Sequence, residues 1–282
     1  MEMQADILRV PVGPGAMHVE RYGHGGAAVL LLHGFGTCNF LWRAVAPEIT
    51  EAGHTAYAID LFGHGQSDRP PDADFGIAEQ AEYLDAAMTA MRISRGVIVG
   101  VDIGGDVAMR LAATRADRVE KLVLINTPAF DDLPAKDITR MQRRTAKFAF
   151  RLSRGVMGAA PLLEGVLKGS VADPEKMPMK LIARYLAPFV GPDGANHLLT
   201  LGSSISNSDI DEDDMKEIHA PTLIIWGEED RWCDSKLPDR LAATIPDARL
   251  VKLPGVGRLV PEESPEELSK LILDFIRKRA AA

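Results

Sequence analysis

Four short runs of Val, Leu, Ile and small residues most constrain the fold: Ala27–Leu32, Gly96–Val101, Leu122–Ile125 and Leu223–Trp226. Each is strand-sized and carries no polar alternation, as in strands buried on both faces of a parallel sheet. Helical patterns stand between them. Ala78–Arg92 follows an extended stretch at Thr55–Asp60, and Gly105–Thr114 follows Gly96–Val101. Lys236–Thr244 follows Thr222–Trp226, and Pro265–Lys278 follows Arg249–Leu253. Alternating β and α elements predict a wound α/β sheet. Ile7–Val12 and His18–Tyr22, either side of Gly13-Pro14-Gly15, read as an opening antiparallel hairpin.

The alternation stops between Asp131 and Ser208, where six prolines interrupt helical patterns. Residues 131–208 are therefore read as a helical cap, and residues 1–130 and 209–282 as the core that carries the sheet. Within the cap, Ile138, Met141, Phe148 and Leu152 share one helical face, and Arg140, Arg143, Arg144, Lys147, Arg151 and Arg154 fall mostly on the other. The basic face reads as a solvated helix surface or as a docking surface for an acidic partner. Asp209–Glu217 is an acidic run, expected to be a solvated return loop and helix start.

Charge narrows the partners. Thirty-two basic against 40 acidic residues leave a net charge of −8, a poor basis for holding nucleic acid or anionic lipid. No apolar run approaches the ~18 residues that span a bilayer, and the acidic start Met1-Glu2-Met3 has no apolar leader. A cytoplasmic chain is expected, acting on a small-molecule substrate, without nucleic acid or membrane, and open to homodimer formation. Cys38 and Cys233 have no metal-ligand spacing. No metal and no cofactor is expected.

Three segments follow the buried strands directly, at the edge where open parallel sheets bind ligands: His33-Gly34-Phe35-Gly36, Gly100-Val101-Asp102-Ile103-Gly104-Gly105 and Trp226-Gly227-Glu228-Glu229-Asp230. The second has the form of a nucleophile elbow, a strained strand-to-helix turn whose glycines leave room for close packing. Its central residue is Asp102. Backbone N–H groups of Phe35 and Ile103 are the expected oxyanion donors.

With Asp60-Leu61-Phe62-Gly63-His64-Gly65-Gln66-Ser67-Asp68 added, the chain resembles the α/β-hydrolase superfamily over its whole length. An Asp at the elbow is similar to epoxide hydrolases and to haloalkane and haloacetate dehalogenases. The resemblance implies that Asp102 attacks an sp³ carbon to form an ester, and that a His-activated water cleaves it. It places the acid that orients this His at Asp230. The His position of the superfamily's last loop falls in Pro254-Gly255-Val256-Gly257-Arg258, where this chain has Arg258. An arginine has no free base form at neutral pH, but it pairs with carboxylates. An Asp102–Arg258–Asp230 cluster is expected.

Other resemblance-derived positions depart as well. Haloalkane dehalogenases carry Trp and Asn where this chain has Ile103 and Phe35, and haloacetate dehalogenases carry Arg at the Ile103 position. Epoxide hydrolases carry Pro at the Gly36 position and two cap tyrosines, of which Tyr185 is the one here. An apolar pocket is expected to include Trp42, Phe130 and Tyr185, together with Phe40 and Val260. Among the histidines, His33 and His64 are expected to hold loop backbone. His18, His24, His54 and His219 are expected in solvent, and His197 of the cap is the one placed to reach the pocket. Three functions stay open: an Asp-nucleophile hydrolase, a non-hydrolytic lyase, isomerase or cyclase, and a catalytically silent small-molecule binder.

Overall fold

The computed structural model describes residues 4–132, 160–205 and 211–277. The basic-faced cap helix read from Ile138 to Arg154 lies outside the described residues.

Eight strands form one sheet: β1 (Asp6–Val12), β2 (Gly15–Tyr22), β3 (Ala28–Leu32), β4 (Thr55–Ile59), β5 (Gly96–Val101), β6 (Val119–Ile125), β7 (Thr222–Gly227) and β8 (Ala248–Leu253). Their order is β1-β2-β4-β3-β5-β6-β7-β8. β1 and β2 form the expected antiparallel hairpin, with Asp6 opposite Arg21 and Val12 opposite Gly15. The six strands from β4 to β8 run parallel. All six residues of β5 and of β7 are buried, which is why their sequences show no alternation.

Most of the helices that cover the sheet come from stretches that carry helical patterns; Val45–Glu51 and Val260–Glu263 are helices that those patterns do not mark. The first half of the chain holds α1 (Val45–Glu51), α2 (Ile77–Ala90) and α3 (Ile103–Thr114). α4 (Ala160–Gly169), α5 (Met179–Leu186) and α6 (Pro192–Ser204) lie between β6 and β7. α7 (Glu212–Lys216), α8 (Leu237–Thr244), α9 (Val260–Glu263) and α10 (Pro265–Arg277) complete the described set. The acidic run starts α7 through a capping box: the Asp211 carboxylate accepts from the Asp214 N–H, and the Asp214 carboxylate accepts from the Asp211 N–H.

Register brings the carboxyl ends of the parallel strands onto one edge. Leu32 pairs with Ile59 and with Gly100, Val101 with Ile125, and Gly227 with Leu253. The residues that follow these ends therefore gather along a single line. The α4–α6 segment sits on that edge. The Leu163 side chain packs over Gly36, after β3. The His197 Nε2–H donates to the Gly63 carbonyl, after β4. The Ser170 carbonyl accepts from the Leu259 N–H at 3.0 Å, after β8.

Candidate active site

Asp102 is the first residue after β5 and precedes the first turn of α3. Its backbone has φ 55° and ψ −128°, a left-handed conformation that costs a non-glycine residue of order 1–3 kcal/mol. The turn packs too closely for side chains at its glycines. A Cβ on Gly104 would stand 2.6 Å from the carbonyl oxygens of Leu32 and His33, and one on Gly100 would stand 2.2 Å from the Gly104 carbonyl. The turn leaves the Asp102 side chain almost fully buried, 6% exposed.

The two carboxylate oxygens have separate partners. Oδ2 accepts the Phe35 N–H at 2.8 Å. Oδ1 accepts from Arg258 Nη2. Arg258 is itself 2% exposed, so this ion pair is shielded from water and salt. Ile103 occupies the first position of α3 beside Asp102, with its side chain buried.

Asp230 follows β7 as expected, but it does not join the cluster by an ion pair. Its Oδ2 accepts from Asn126 Nδ2 at 3.0 Å and its Oδ1 from the Trp232 N–H at 2.8 Å. Asn126, at φ 41° directly after β6, also donates Nδ2 to the Gly227 carbonyl at 3.1 Å and accepts the Gly227 N–H at 2.8 Å. Asn126 and the turn amides of Trp232 and Cys233 already satisfy the carboxylate. The loops are nevertheless close. The Glu229 N–H donates to the Val256 carbonyl at 2.9 Å, and the Cys233 thiol, raised mainly by burial, feels the charges of Arg258, Asp230 and Asp102 together.

The Arg258 loop is fastened by Glu263, a residue sequence reasoning missed. Its carboxylate accepts the N–H groups of Gly257 at 2.6 Å, Ala172 at 2.9 Å and Asp173 at 3.2 Å. Trp232 Nε1–H donates to Ser170 Oγ at 3.0 Å. Asn126 was missed too. Its signal was available: an Asn, the type most tolerant of left-handed backbone after Gly, directly after a buried strand.

The remaining expected pocket residues are placed as follows. Trp42 is fully buried. The Tyr185 hydroxyl donates to Glu262 Oε1, and burial and the Glu262 charge hold this phenol well above its ordinary pKa. His197 is bound to Gly63 and stands edge-on to Phe75, and burial lowers its pKa. Phe130 lies under the Arg240 guanidinium, 3.7 Å from the ring centroid. It lines a cleft of about 290 Å³ with Asp132, Asp234 and Leu237, apart from the Asp102–Arg258 pair. Tyr185, His197 and Phe130 are thus each engaged by partners other than Asp102.

The histidines near the elbow carry backbone. His33 Nε2 accepts the Leu61 N–H at 3.1 Å and its Nδ1–H donates to the Gly34 carbonyl at 2.8 Å. Burial lowers its pKa to about 4. His64 Nδ1–H donates to the Phe62 carbonyl, and burial, followed by the neighbouring His33, holds its pKa well below the ordinary value. His18, expected in solvent, is 2% exposed, because β2 carries it beneath the Asp60–Asp68 loop with its Nε2 3.4 Å from Gln66.

The model of the alpha/beta hydrolase fold family matches residues 27–265, and the chain belongs to that family. It is 27% identical to an uncharacterized hydrolase, YugF, of Bacillus subtilis, over 98% of this chain and 100% of that protein. It is 25% identical to a haloalkane dehalogenase of Bradyrhizobium diazoefficiens, over 97% of this chain and 95% of that one. The solved structure of an alpha/beta hydrolase fold protein from Burkholderia ambifaria is similar at a TM-score of 0.84 and 26% identity, over 97% of this chain and 100% of that chain. Among the described residues no helix is long and apolar enough to cross a membrane.

Proposed function

We propose that this protein is an Asp-nucleophile enzyme that acts on a small, mostly apolar molecule with an electrophilic sp³ carbon. The observation that carries this reading is the Asp102 carboxylate on its strained turn, with Oδ2 bound by the Phe35 N–H at 2.8 Å. Likeness to the Bradyrhizobium haloalkane dehalogenase supports the class of electrophile. Residues 131–208 act as a cap over the core of residues 1–130 and 209–282, a division supported by the contacts of α4–α6 with the strand-end loops.

In this reading Oδ1 attacks carbon and expels a halide, or opens an epoxide to an alkoxide that takes up a proton. An alkyl ester of Asp102 results. Oδ2 becomes the ester carbonyl oxygen, and the Phe35 N–H already points at it, so the donor is in place when negative charge develops there. Arg258 covers Oδ1, so attack requires its guanidinium to give way to the substrate carbon. In the second half-reaction water adds to the ester carbonyl, the acyl–oxygen bond breaks, and the alcohol leaves. A group must accept the proton from that water. Arg258 stands where the superfamily's base would be and has no free base form, so ester cleavage is slow.

Intact-mass spectrometry with a panel of 1-haloalkanes and terminal epoxides tests this. One adduct per chain, on the peptide that carries Asp102 and lost in Asp102→Asn, is the expected result. A panel that never labels the protein, or label that persists in Asp102→Asn, contradicts it.

The buried Arg258–Asp102 pair favours a second reading. A carboxylate held ionised by an internal cation is a weaker nucleophile and a stable electrostatic element. It suits a non-hydrolytic reaction or a binding pocket, and an unlabelled protein in the same experiment would support it.

A further inference from the structure

A second cleft opens at the seam between α5 and the segment that precedes α1, and none of Asp102, Phe35, Ile103 or Arg258 lies on its walls. Its volume of about 540 Å³ is within the range of small-molecule pockets. The aromatic wall is Phe40. Two guanidiniums lie over this ring, Arg43 at 4.3 Å and Arg184 at 4.9 Å from the centroid.

The charges do not cancel. Arg43 is bound two-fold by Glu262, with both N–O distances 2.7 Å, and the Glu262 side chain is only 2% exposed. That carboxylate also accepts the Tyr185 hydroxyl, so its charge is used inside the wall. Lys180 and Arg184 are four residues apart on α5 and therefore share a face, a like-charge spacing that weakens a helix by a few tenths of a kcal/mol. Neither makes an ion pair within 4.0 Å among the described residues, and both are exposed. Lys176 donates Nζ to the Glu263 carbonyl at 2.7 Å, a neutral acceptor. The other carboxylate on the wall, Glu175, is exposed to solvent. Three cations thus face one free carboxylate, on a chain whose net charge is −8. The floor between them is apolar, with Pro178 and Leu181 beside Phe40.

We propose that this cleft binds an organic monoanion with an apolar body, its head group at Lys176, Lys180 and Arg184 and its body on Phe40, Pro178 and Leu181. Arg184, held over an aromatic ring rather than on a carboxylate, keeps its donors for the head group. The inference does not depend on the chemistry proposed for Asp102, because none of Asp102, Phe35, Ile103 or Arg258 lines this cleft.

The test is isothermal titration of the full chain with 4-phenylbutyrate, with 4-phenylbutan-1-ol and with inorganic phosphate. The expected result is saturable binding of the carboxylate that weakens as salt is raised, and binding of the alcohol and of phosphate at least about tenfold weaker. Lys180→Gln/Arg184→Gln changes two exposed side chains on a helix that tolerates Gln. It should leave the circular dichroism unchanged and weaken the carboxylate about tenfold, a factor of a few for each solvated charge. No saturable binding up to about 10 mM, weaker than any useful site, overturns the proposal. So does equal affinity for carboxylate and alcohol, since the cations would then contribute nothing. Phosphate that binds as well as phenylbutyrate removes the apolar floor from the account, and a double variant that binds like the wild type places the site elsewhere.

Discussion

Arg258 closes on Asp102: its Nη2 meets Asp102 Oδ1 across 156 positions of sequence, and both side chains are almost fully buried. The pair joins the loop after β8 to the turn after β5, the two loops that would have to cooperate in any reaction at this edge. Its energetics follow from burial. Two charges taken out of water cost several kcal/mol each, and they recover this only from one another and from nearby hydrogen bonds.

Removing one member therefore leaves the other charge stranded. Arg258→Met should lower stability by about 3–5 kcal/mol in chemical denaturation, and Asp102→Asn should lower it markedly as well. The double variant should be more stable than the sum of the two losses allows, by more than ~1 kcal/mol of coupling. Additive losses would show that the pair is not a unit.

Asp230 belongs to a different unit, with Asn126 and the Trp232 amide. Asp230→Ala leaves the Trp232 N–H and Asn126 Nδ2 without this acceptor, a loss of about 1–3 kcal/mol, smaller than that of Arg258→Met. Asn126→Ala should cost a comparable amount, and the two losses should fall short of additive by about one hydrogen bond, the Asn126–Asp230 contact that both remove. An Asp230→Ala loss as large as that of Arg258→Met would restore the three-residue cluster and contradict this geometry.

Acid should weaken the fold through the buried imidazoles. His33 titrates at about 4 and His64 well below its ordinary 6.5, both because of burial. Below about pH 6.5 the unfolded chain takes up these protons before the folded chain does, and for His33 that window runs down to about 4, so stability falls as pH falls. Asp60, raised by burial to about 6, acts in the opposite sense between about 6 and its ordinary 3.8, because there the folded chain holds the extra proton. His197, also lowered by burial, adds to the imidazole side, so the balance favours proton uptake by the unfolded state, and each net proton is worth about 1.4 kcal/mol per pH unit. Urea midpoints at pH 7, 6 and 5 should decline, with no steeper fall at the top of this range than at its bottom. Replacing His33 with Gln should flatten the decline. A constant or rising midpoint would mean that these rings are hydrated.

The sheet, its helices and the elbow were readable because each rests on local pattern. Apolar runs without alternation mark strands such as β5 and β7, and Gly100, Gly104 and Gly105 around Asp102 mark a turn with no room for side chains. Which strand-end residues touch was less readable, since contacts depend on side-chain reach across loops. Asp230 stands on the expected loop but is taken by Asn126, whose role follows from a backbone conformation that no spacing rule flags. Glu263 reads as one acid in a charged run, and only folding aims its carboxylate at the amides of Ala172 and Asp173, 91 and 90 residues away, as well as at the nearby Gly257. His18 looked solvated because β2 reads as an outer strand, yet the Asp60–Asp68 loop covers it.

The proposed chemistry puts Arg258 where a base would be needed, and one comparison tests that directly: product release by the wild type and by Arg258→His, with the covalent adduct followed by intact mass in the same samples. General-base assistance is typically worth ~10²–10⁴-fold, and the Asp230 loop is already bound to the loop that carries position 258. The expected result is a wild type that gives at most one product equivalent per chain while its adduct accumulates, and a variant that clears the adduct and turns over repeatedly. Repeated turnover by the wild type with no adduct, at a rate equal to or above that of the variant, would contradict the account.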